Sequence, residues 1–210
     1  MITSTITRDG RTICFHTTGR SDADRCDVFL HPAPGSGEFD PDPEQTARRD
    51  VLLIGVDRPG YGGSDPYRSG ESPTIAAAAD DIATVLGHLG IATAGVAGWS
   101  TGGWIALALA ARRPDLVDRL VLLGTPAPDD ETPLGFEPAD VHAKTLLLYG
   151  NADPLVRPAH AGWRKNRLTD SRIEMMPGAG PVFVVPGWTR VLSHLTPGRS
   201  STTGRRYRKS

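Results

Sequence analysis

The stretch AGVAGWSTGGWIALALAA, residues 94–111, joins an apolar run, a glycine-rich turn and an alanine- and leucine-rich run. Ser100 lies in the turn, with Gly98 two residues before it and Gly102 two residues after it. A tight strand-to-helix turn strains the backbone of its central residue and leaves room only for small neighbours. The helix that begins there directs free N–H groups and its positive dipole end at the turn. The pattern predicts a serine presented at the edge of a sheet.

Short apolar runs alternate with longer helical patterns along the rest of the chain. The runs that predict buried strands are DVFLH (27–31), VLLIGVD (51–57), AGVAGWS (94–100), RLVLLGT (119–125), TLLLYG (145–150) and SRIEMMPG (171–178). The helical patterns cover residues 74–90, 101–117, 158–170 and 186–198, and residues 4–19 predict a hairpin around Asp9-Gly10. Strands that are apolar on both faces and separated by helices predict an α/β fold, with a mostly parallel sheet flanked by helices on both faces.

Composition indicates one globular domain over residues 1–198. The chain has 210 residues and a formal net charge of -1, so we expect neither a nucleic acid nor a membrane as partner. Residues 199–210 are basic and rich in serine and threonine, which predicts a disordered tail. The first residues lack an apolar signal segment, and two cysteines are too few for a disulfide framework. These features predict a cytoplasmic protein.

Three further segments carry a resemblance to a known family. They are HPAPGSG (31–37), DRPGYGGSD (57–65) and YGNADPLV (149–156). Together with the turn at Ser100, they make the chain resemble the α/β-hydrolase family, in its esterase, peptidase and C–C hydrolase branch. The resemblance implies that Ser100 is the nucleophile and Asp153 the acid of the catalytic triad. Asp129 and Asp130, after the preceding strand, are the alternative acids.

The oxyanion hole of such an enzyme needs two converging N–H groups. The resemblance assigns one of them to Thr101, directly after the nucleophile. In the segment HPAPG, Pro32 and Pro34 have no N–H, so Ala33 is the donor left between His31 and Gly35. His31 itself is interpreted as a structural hydrogen-bonding residue.

The general base of the family is missing from its usual position. The family's histidine follows Gly-x-Gly after the last strand, and the segment MMPGAGPVF places Pro181 there. Proline cannot accept a proton from Ser100. His160 and His142 are the possible substitute bases, although each is interpreted first as a surface or packing residue. The remaining histidines, His16, His88 and His194, are expected away from the catalytic edge.

The resemblance also bears on the substrate. Family members usually carry a large cap after the strand RLVLLGT, but here only about twenty residues follow before the next strand, too few for a separate domain. The cap is therefore expected to be nearly absent and the site open to a small-molecule or carrier-bound acyl substrate. Possible apolar walls are Trp99, Trp104, Phe136 and Trp163, although Trp104 is interpreted first as a core residue of the helix after Ser100.

These features predict a serine enzyme that acts on an ester, thioester or related carbonyl substrate with an altered or missing base. The alternatives are a non-hydrolytic lyase or cyclase that uses the same pocket, and a catalytically inactive paralogue that binds a small molecule. No phosphate loop, metal-ligand spacing or cofactor lysine signature is present in the sequence, so no cofactor or metal is expected.

Overall fold

The computed structural model describes residues 1–70, 74–128 and 134–198. The eight strands in this part of the chain are β1 (Ile2–Arg8), β2 (Arg11–Gly19), β3 (Cys26–Leu30), β4 (Leu52–Val56), β5 (Ala94–Trp99), β6 (Val117–Leu123), β7 (Lys144–Gly150) and β8 (Ser171–Met176). The α-helices are α1 (Pro43–Arg48), α2 (Ile75–His88), α3 (Gly102–Arg112), α4 (Pro158–Lys165) and α5 (Val184–Leu195). The predicted tail, residues 199–210, lies outside the described residues.

The strands form one sheet in the order β1-β2-β4-β3-β5-β6-β7-β8. The hairpin β1–β2 is antiparallel and joins β4 in antiparallel fashion, whereas the strands from β4 to β8 pair in parallel. The predicted hairpin and the six predicted strands are thus confirmed, but β8 lies at the edge of the sheet and is mostly exposed or half-buried, not buried. Because the parallel strands share one direction, the turns after β3, β5, β6 and β7 meet at the same edge of the sheet.

Helices cover both faces of the sheet, as the apolar strands require. Leu120 and Leu122 of β6 pack into a core shared with α2 and α3. Their neighbours Val121 and Leu123 point to the opposite face, where they pack against α5. This alternation explains why residues 120–123 of β6 are all apolar and do not follow a pattern of period two.

The connection between β6 and β7 is short, as predicted, and the cap is nearly absent. Its described part contains a single 3-10 turn at Pro138–Asp140. Arg164 of α4 secures the start of this connection, since its guanidinium is buried and donates to the carbonyl groups of Thr125 and Pro126. The guanidinium also lies 4.5 Å from the ring centre of Trp104 on α3. Arg164 therefore links the segment after β6 to both α3 and α4.

The helices differ from the sequence prediction in several places, and α3 and α4 end at Arg112 and Lys165, before the predicted residues 117 and 170. The helix α1 was not predicted, although its start carries a signal: Asp42 caps the N–H of Gln45, and Pro43 occupies the first turn. The last helix begins at Val184, two residues before the predicted Pro186. A proline is tolerated there because the N–H groups of the first turn have no partner within the helix.

Within the part of the chain that the structure describes, no helix has the length and apolar character needed to cross a membrane.

Candidate active site

Ser100 joins β5 to α3 with its backbone in the left-handed region. Its φ is +52°, a conformation that costs a non-glycine residue roughly 1–3 kcal/mol. Its N–H donates to the carbonyl of Leu123 on β6 at 2.8 Å, and its own carbonyl accepts from Gly103 at 3.0 Å. Asp9 and Asp50 have the same φ in other turns, but aspartate tolerates this region more readily than serine. The surrounding hydrogen bonds thus hold Ser100 in a conformation it does not adopt by preference.

The close approach of the start of α3 to β5 and to β3 explains the glycines on both sides of Ser100. A Cβ atom on Gly98 would lie 2.5 Å from the carbonyl oxygen of Gly102. A Cβ atom on Gly102 would lie 2.2 Å from the carbonyl oxygen of Leu30 on β3. Both obstacles are backbone atoms, which cannot rotate away as a side chain can. The predicted need for small neighbours is confirmed at both positions.

A cavity of about 260 Å³ opens at Ser100. It is lined by Pro32, Trp99, Ser100, Gly124, Pro126, Asp153, Leu155, Val156, Pro181 and Val182. These residues come from the turns after β3, β5, β6 and β7 and from the loop before α5. Cavities of about 890 Å³ and 330 Å³ lie elsewhere and do not include Ser100. The small cavity is the candidate site because it holds the hydroxyl and the carboxylate together.

Asp153 is buried in the turn that follows β7. Its Oδ1 accepts from the backbone N–H groups of Leu155 at 2.8 Å and Val156 at 3.1 Å. Among the described residues, no hydrogen bond reaches its Oδ2. One carboxylate oxygen therefore shapes the turn, and the other is available to a group in the cavity. Asp129 and Asp130, the alternative acids, lie outside the described residues.

Pro181 lies in the same cavity as Ser100 and Asp153. The loop that carries Pro181 is attached to the loop of Asp153 by two hydrogen bonds. Ala152 N–H donates to the carbonyl of Ala179 at 3.0 Å, and Gly178 N–H donates to Oδ1 of Asn151 at 2.7 Å. The position where the resemblance places a histidine is thus held beside the carboxylate, but its side chain has no proton acceptor.

Neither substitute base is presented to Ser100. The Nδ1 atom of His160 accepts from the N–H of Ala127 at 2.8 Å, so its lone pair is engaged, and His160 is not among the residues that line the cavity. His142 lies just before β7, whose opposite end leads to Asp153. Seven strand residues, at about 3.3 Å each, separate His142 from the catalytic edge. The structure therefore does not bring either histidine to the cavity.

The other histidines serve the fold. Nε2 of His194 lies 2.8 Å from the carbonyl of Lys144, at the start of β7, which confirms that this ring is far from the catalytic edge. His31 is buried, and burial lowers its pKa. Its Nδ1–H donates to the carbonyl of Pro32 at 2.7 Å, and its Nε2 accepts from the N–H of Arg58 at 3.3 Å. His31 is a structural hydrogen-bonding residue, as the sequence predicted.

Of the two predicted oxyanion residues, Thr101 is half-buried beside Ser100 and Ala33 is exposed. Pro32, directly before Ala33, lines the cavity. Of the predicted apolar walls, Trp99 lines the cavity of Ser100. Phe136 and Trp163 were also predicted as walls of this cavity, but both line the 890 Å³ cavity instead. Trp104 lines the 330 Å³ groove and is largely buried.

A buried network around Asp57 supports the loop next to the candidate site. Its two carboxylate oxygens accept from the backbone N–H groups of Gly37 at 2.8 Å and Gly63 at 3.0 Å. Nε2 of His16 lies 3.1 Å from Oδ2 and 3.8 Å from Sγ of Cys14. The ligand atoms of Cys14, His16 and Asp57 lie within 4.8 Å of one another. Because they already bond to each other and to the loop, hydrogen bonding accounts for the cluster.

This network predicts a stability that depends on pH. Burial raises the pKa of Asp57, but the bonds from Gly63, Gly37 and His16 outweigh burial and lower it. A lowered pKa means that the stabilisation is complete above the unfolded value of about 3.9 and is lost as the pH falls through the folded value. At pH 7 we expect Asp57→Asn to reduce the free energy of unfolding by about 2–3 kcal/mol. The difference from the parent should shrink below about pH 4.

Urea unfolding at a series of pH values between 3 and 7 measures this effect. Asp22→Asn is the matched control, because Asp22 is an exposed partner of Arg20. We expect this control to leave the unfolding midpoint unchanged. A constant difference between Asp57→Asn and the parent over the whole pH range would contradict the prediction.

The geometry agrees with a family assignment by sequence. The sequence model of the α/β hydrolase fold matches residues 28–142, which include Ser100 and the loop of Pro32. The chain belongs to the α/β-hydrolase fold family.

Named relatives match parts of the chain. It is 38% identical over 104 residues to the AB hydrolase superfamily protein YisY of Bacillus subtilis (strain 168), covering 48% of this chain and 38% of that protein. It is 37% identical over 98 residues to the proline iminopeptidase of Neisseria gonorrhoeae, covering 46% of this chain and 31% of that protein. The chain thus spans less than half the length of these relatives.

A solved structure matches over nearly the full length. It is MGS-M2, an α/β hydrolase enzyme from a Medee basin deep-sea metagenome library, with a TM-score of 0.80 and 18% identity. The match covers 98% of this chain and 100% of that one. At this identity, the likeness shows the fold alone.

Proposed function

We propose that the chain is a serine-dependent enzyme that acts on an ester, thioester or related carbonyl substrate. In this proposal Ser100 is the nucleophile, and the backbone N–H groups of Thr101 and Ala33 stabilise the oxyanion. Asp153 occupies the position of the family acid. The observation that carries the proposal is the strained backbone of Ser100 at a cavity that also holds a buried carboxylate.

The absence of an imidazole at position 181 narrows the substrate class. When the hydroxyl of Ser100 attacks a carbonyl carbon, its proton passes to hydroxide, to water or to a basic group on the substrate. An amine leaving group needs a proton to depart. A thiolate departs without one, and so does the weakly basic alkoxide of an activated ester. The site is therefore better suited to thioesters and activated esters than to amides.

The rim of the cavity favours an acyl chain as part of the substrate. Leu155 and Val182 line the cavity, yet they are 73% and 69% exposed. The cavity, at about 260 Å³, is below the range of roughly 300–1,000 Å³ typical of sites that enclose a drug-sized ligand. The part of a substrate that does not fit in the cavity must therefore extend over Leu155 and Val182. A carrier-bound or long-chain acyl group has the chemistry for this position.

Covalent labelling tests the proposal directly. We expect an alkyl fluorophosphonate to label Ser100 stoichiometrically, with loss of fluoride, and Ser100→Ala to remain unlabelled. The pH dependence of the rate identifies the proton acceptor. A steady rise with pH through the neutral range indicates hydroxide, and a plateau above about pH 7 indicates a histidine base. Failure to label correctly folded protein would contradict the proposal.

The exposed rim predicts a preference for long chains. We expect an octyl fluorophosphonate to label Ser100 about tenfold faster than an ethyl reagent, since about two methylenes buried on the rim supply this difference. In the double variant Leu155→Ser, Val182→Ser, the ratio should fall close to one while the ethyl rate stays the same. Ile2→Ser is the control, because Ile2 is 66% exposed on β1, at the far edge of the sheet. If the ratio of octyl to ethyl labelling rates is the same in the parent, the double variant and Ile2→Ser, the rim does not bind the alkyl chain of the reagent.

Because the backbone of Ser100 is strained, we expect a substitution that relieves the strain to stabilise the protein although it removes the proposed nucleophile. Glycine adopts a positive φ without penalty, so we expect Ser100→Gly to raise the free energy of unfolding by about 1 kcal/mol. Ser100→Ala keeps the strain and should give no such gain. Denaturant unfolding of the two variants measures the difference. If Ser100→Gly is no more stable than Ser100→Ala, the backbone at this turn is not strained.

A second function is favoured by Pro181 in the cavity and by the engaged lone pair of His160. In this alternative, the pocket binds a small molecule or supports a lyase or cyclase step without a covalent acyl intermediate. An unreactive Ser100 in a protein that still binds an acyl ligand, seen as a ligand-dependent rise in melting temperature, supports the alternative.

A further inference from the structure

Arg58 contacts both segments that supply the proposed oxyanion hole. Its Nη2 donates to the carbonyl of Pro32 at 2.8 Å. Its Nη1 lies 3.4 Å from Oγ1 of Thr101, the residue that follows the nucleophile. One planar guanidinium therefore spans the loop after β3 and the start of α3.

The hydrogen bonds that the Pro32 carbonyl accepts restrict the direction of the Ala33 N–H. These two groups belong to one peptide unit, and in a trans peptide they point in opposite directions. The carbonyl accepts from both Arg58 and His31, so the whole peptide plane is held. Arg58 lines the 330 Å³ groove together with Thr101, whereas Pro32 lines the cavity of Ser100. A carbonyl held by Arg58 and His31 fixes the direction of the Ala33 N–H, which points away from these two side chains.

Arg58 is itself held in place by aromatic packing. Its guanidinium carbon lies 4.6 Å from the ring centre of Tyr61, and that ring packs against His31 at 5.5 Å. A lysine could not reproduce this arrangement, because its ammonium is a point charge and cannot contact two separate acceptors through one rigid plane.

We propose that Arg58 is a positioning residue that orients the Pro32–Ala33 peptide and fixes its distance from Thr101, so that the two N–H groups converge on the oxyanion. This role rests on the proposed function of Ser100. Arg58 does not touch the reacting atoms, and it acts through the backbone of its two partners.

Labelling kinetics test this role. Loss of one oxyanion donor lowers turnover by about 10²–10³-fold. We expect Arg58→Gln to lower the maximal rate constant of fluorophosphonate labelling by about 100-fold, with little change in the reagent concentration at half-maximal rate. Arg58→Lys should recover only part of the rate. Arg20→Gln is the matched control, because Arg20 forms an exposed pair with Asp22, and it should label like the parent. An unchanged maximal rate in folded Arg58→Gln would overturn the proposal.

A second measurement does not depend on reactivity. In protein labelled with ¹⁵N-alanine, the Ala33 amide should give one sharp signal in the parent and in Arg20→Gln. We expect a shifted or broadened signal in Arg58→Gln, because the His31 hydrogen bond alone then holds the Pro32 carbonyl. A single unshifted signal would overturn the positioning role. If the parent fails to label at Ser100 but the Ala33 signal responds to Arg58→Gln, the proposed function fails while the positioning of the peptide stands.

Discussion

Replacing Pro181 with histidine is expected to raise the hydrolysis of a short activated ester such as 4-nitrophenyl acetate at least about 100-fold, because general-base catalysis contributes typically 10²–10⁴-fold. Position 181 lines the cavity of Ser100 and Asp153. Two hydrogen bonds hold its loop against the loop of Asp153. Oδ2 of Asp153 can then accept from the new ring and hold it in the tautomer that presents a lone pair to Ser100. The new activity should be lost as the pH falls through about 6.5.

Three controls separate this mechanism from a general opening of the loop. Pro181→Ala removes the proline without supplying a base and should stay at the parent rate. Adding Ser100→Ala to the histidine variant should abolish the gain, and adding Asp153→Asn should remove most of it. A gain that survives Ser100→Ala would show that the new imidazole acts by itself. A parent that already hydrolyses the ester rapidly would mean that another residue is its base, with His160 as the first to replace.

Replacing Gly98 with alanine is expected to destabilise the protein by about 3 kcal/mol, at the upper end of what overpacking usually costs. The new Cβ would lie 2.5 Å from both the carbonyl oxygen of Gly102 and the Cα of Gly103. Relief requires α3 to move away from β5, which would also displace Ser100. For a chain of this size the melting temperature should fall by about 6–12 °C.

Gly87→Ala is the matched control for this substitution. Gly87 lies in α2, and a Cβ atom there would meet no heavy atom within 4 Å. Alanine also favours the helix over glycine, so we expect no loss and a gain of up to about 1 kcal/mol. Thermal unfolding of both variants provides the comparison. Similar melting temperatures for Gly98→Ala and the parent would show that the turn at Ser100 tolerates a side chain.

Much of the architecture followed from local sequence. The apolar runs of β3 to β7 and the helical patterns between them predicted the parallel sheet, because strands buried on both faces need apolar residues throughout. The turn at Ser100 was also predictable from local sequence, because Gly98 and Gly102, which it requires, lie within two residues of Ser100. The helix α1 was missed because it has six residues, and so short a helix shows little periodicity.

The arrangement of the candidate site needed the tertiary structure. The sequence identified Ser100, Asp153 and Pro181, and the fold places these three residues at one cavity. His160 remained a possible base until the structure showed its Nδ1 bonded to Ala127. That partner lies 33 residues away and no local pattern indicates it.

The role proposed for Arg58 shows where sequence reasoning ends. In the sequence, its segment DRPGYGGSD contributed only to the family resemblance. Its contacts with Pro32 and Thr101 join residues 26 and 43 positions apart. By itself the sequence determined the strands, the longer helices and the turn at Ser100, because these depend on neighbouring residues. Which donor meets which acceptor across the catalytic edge was decided only by the tertiary structure, because sheet order and loop packing set those distances.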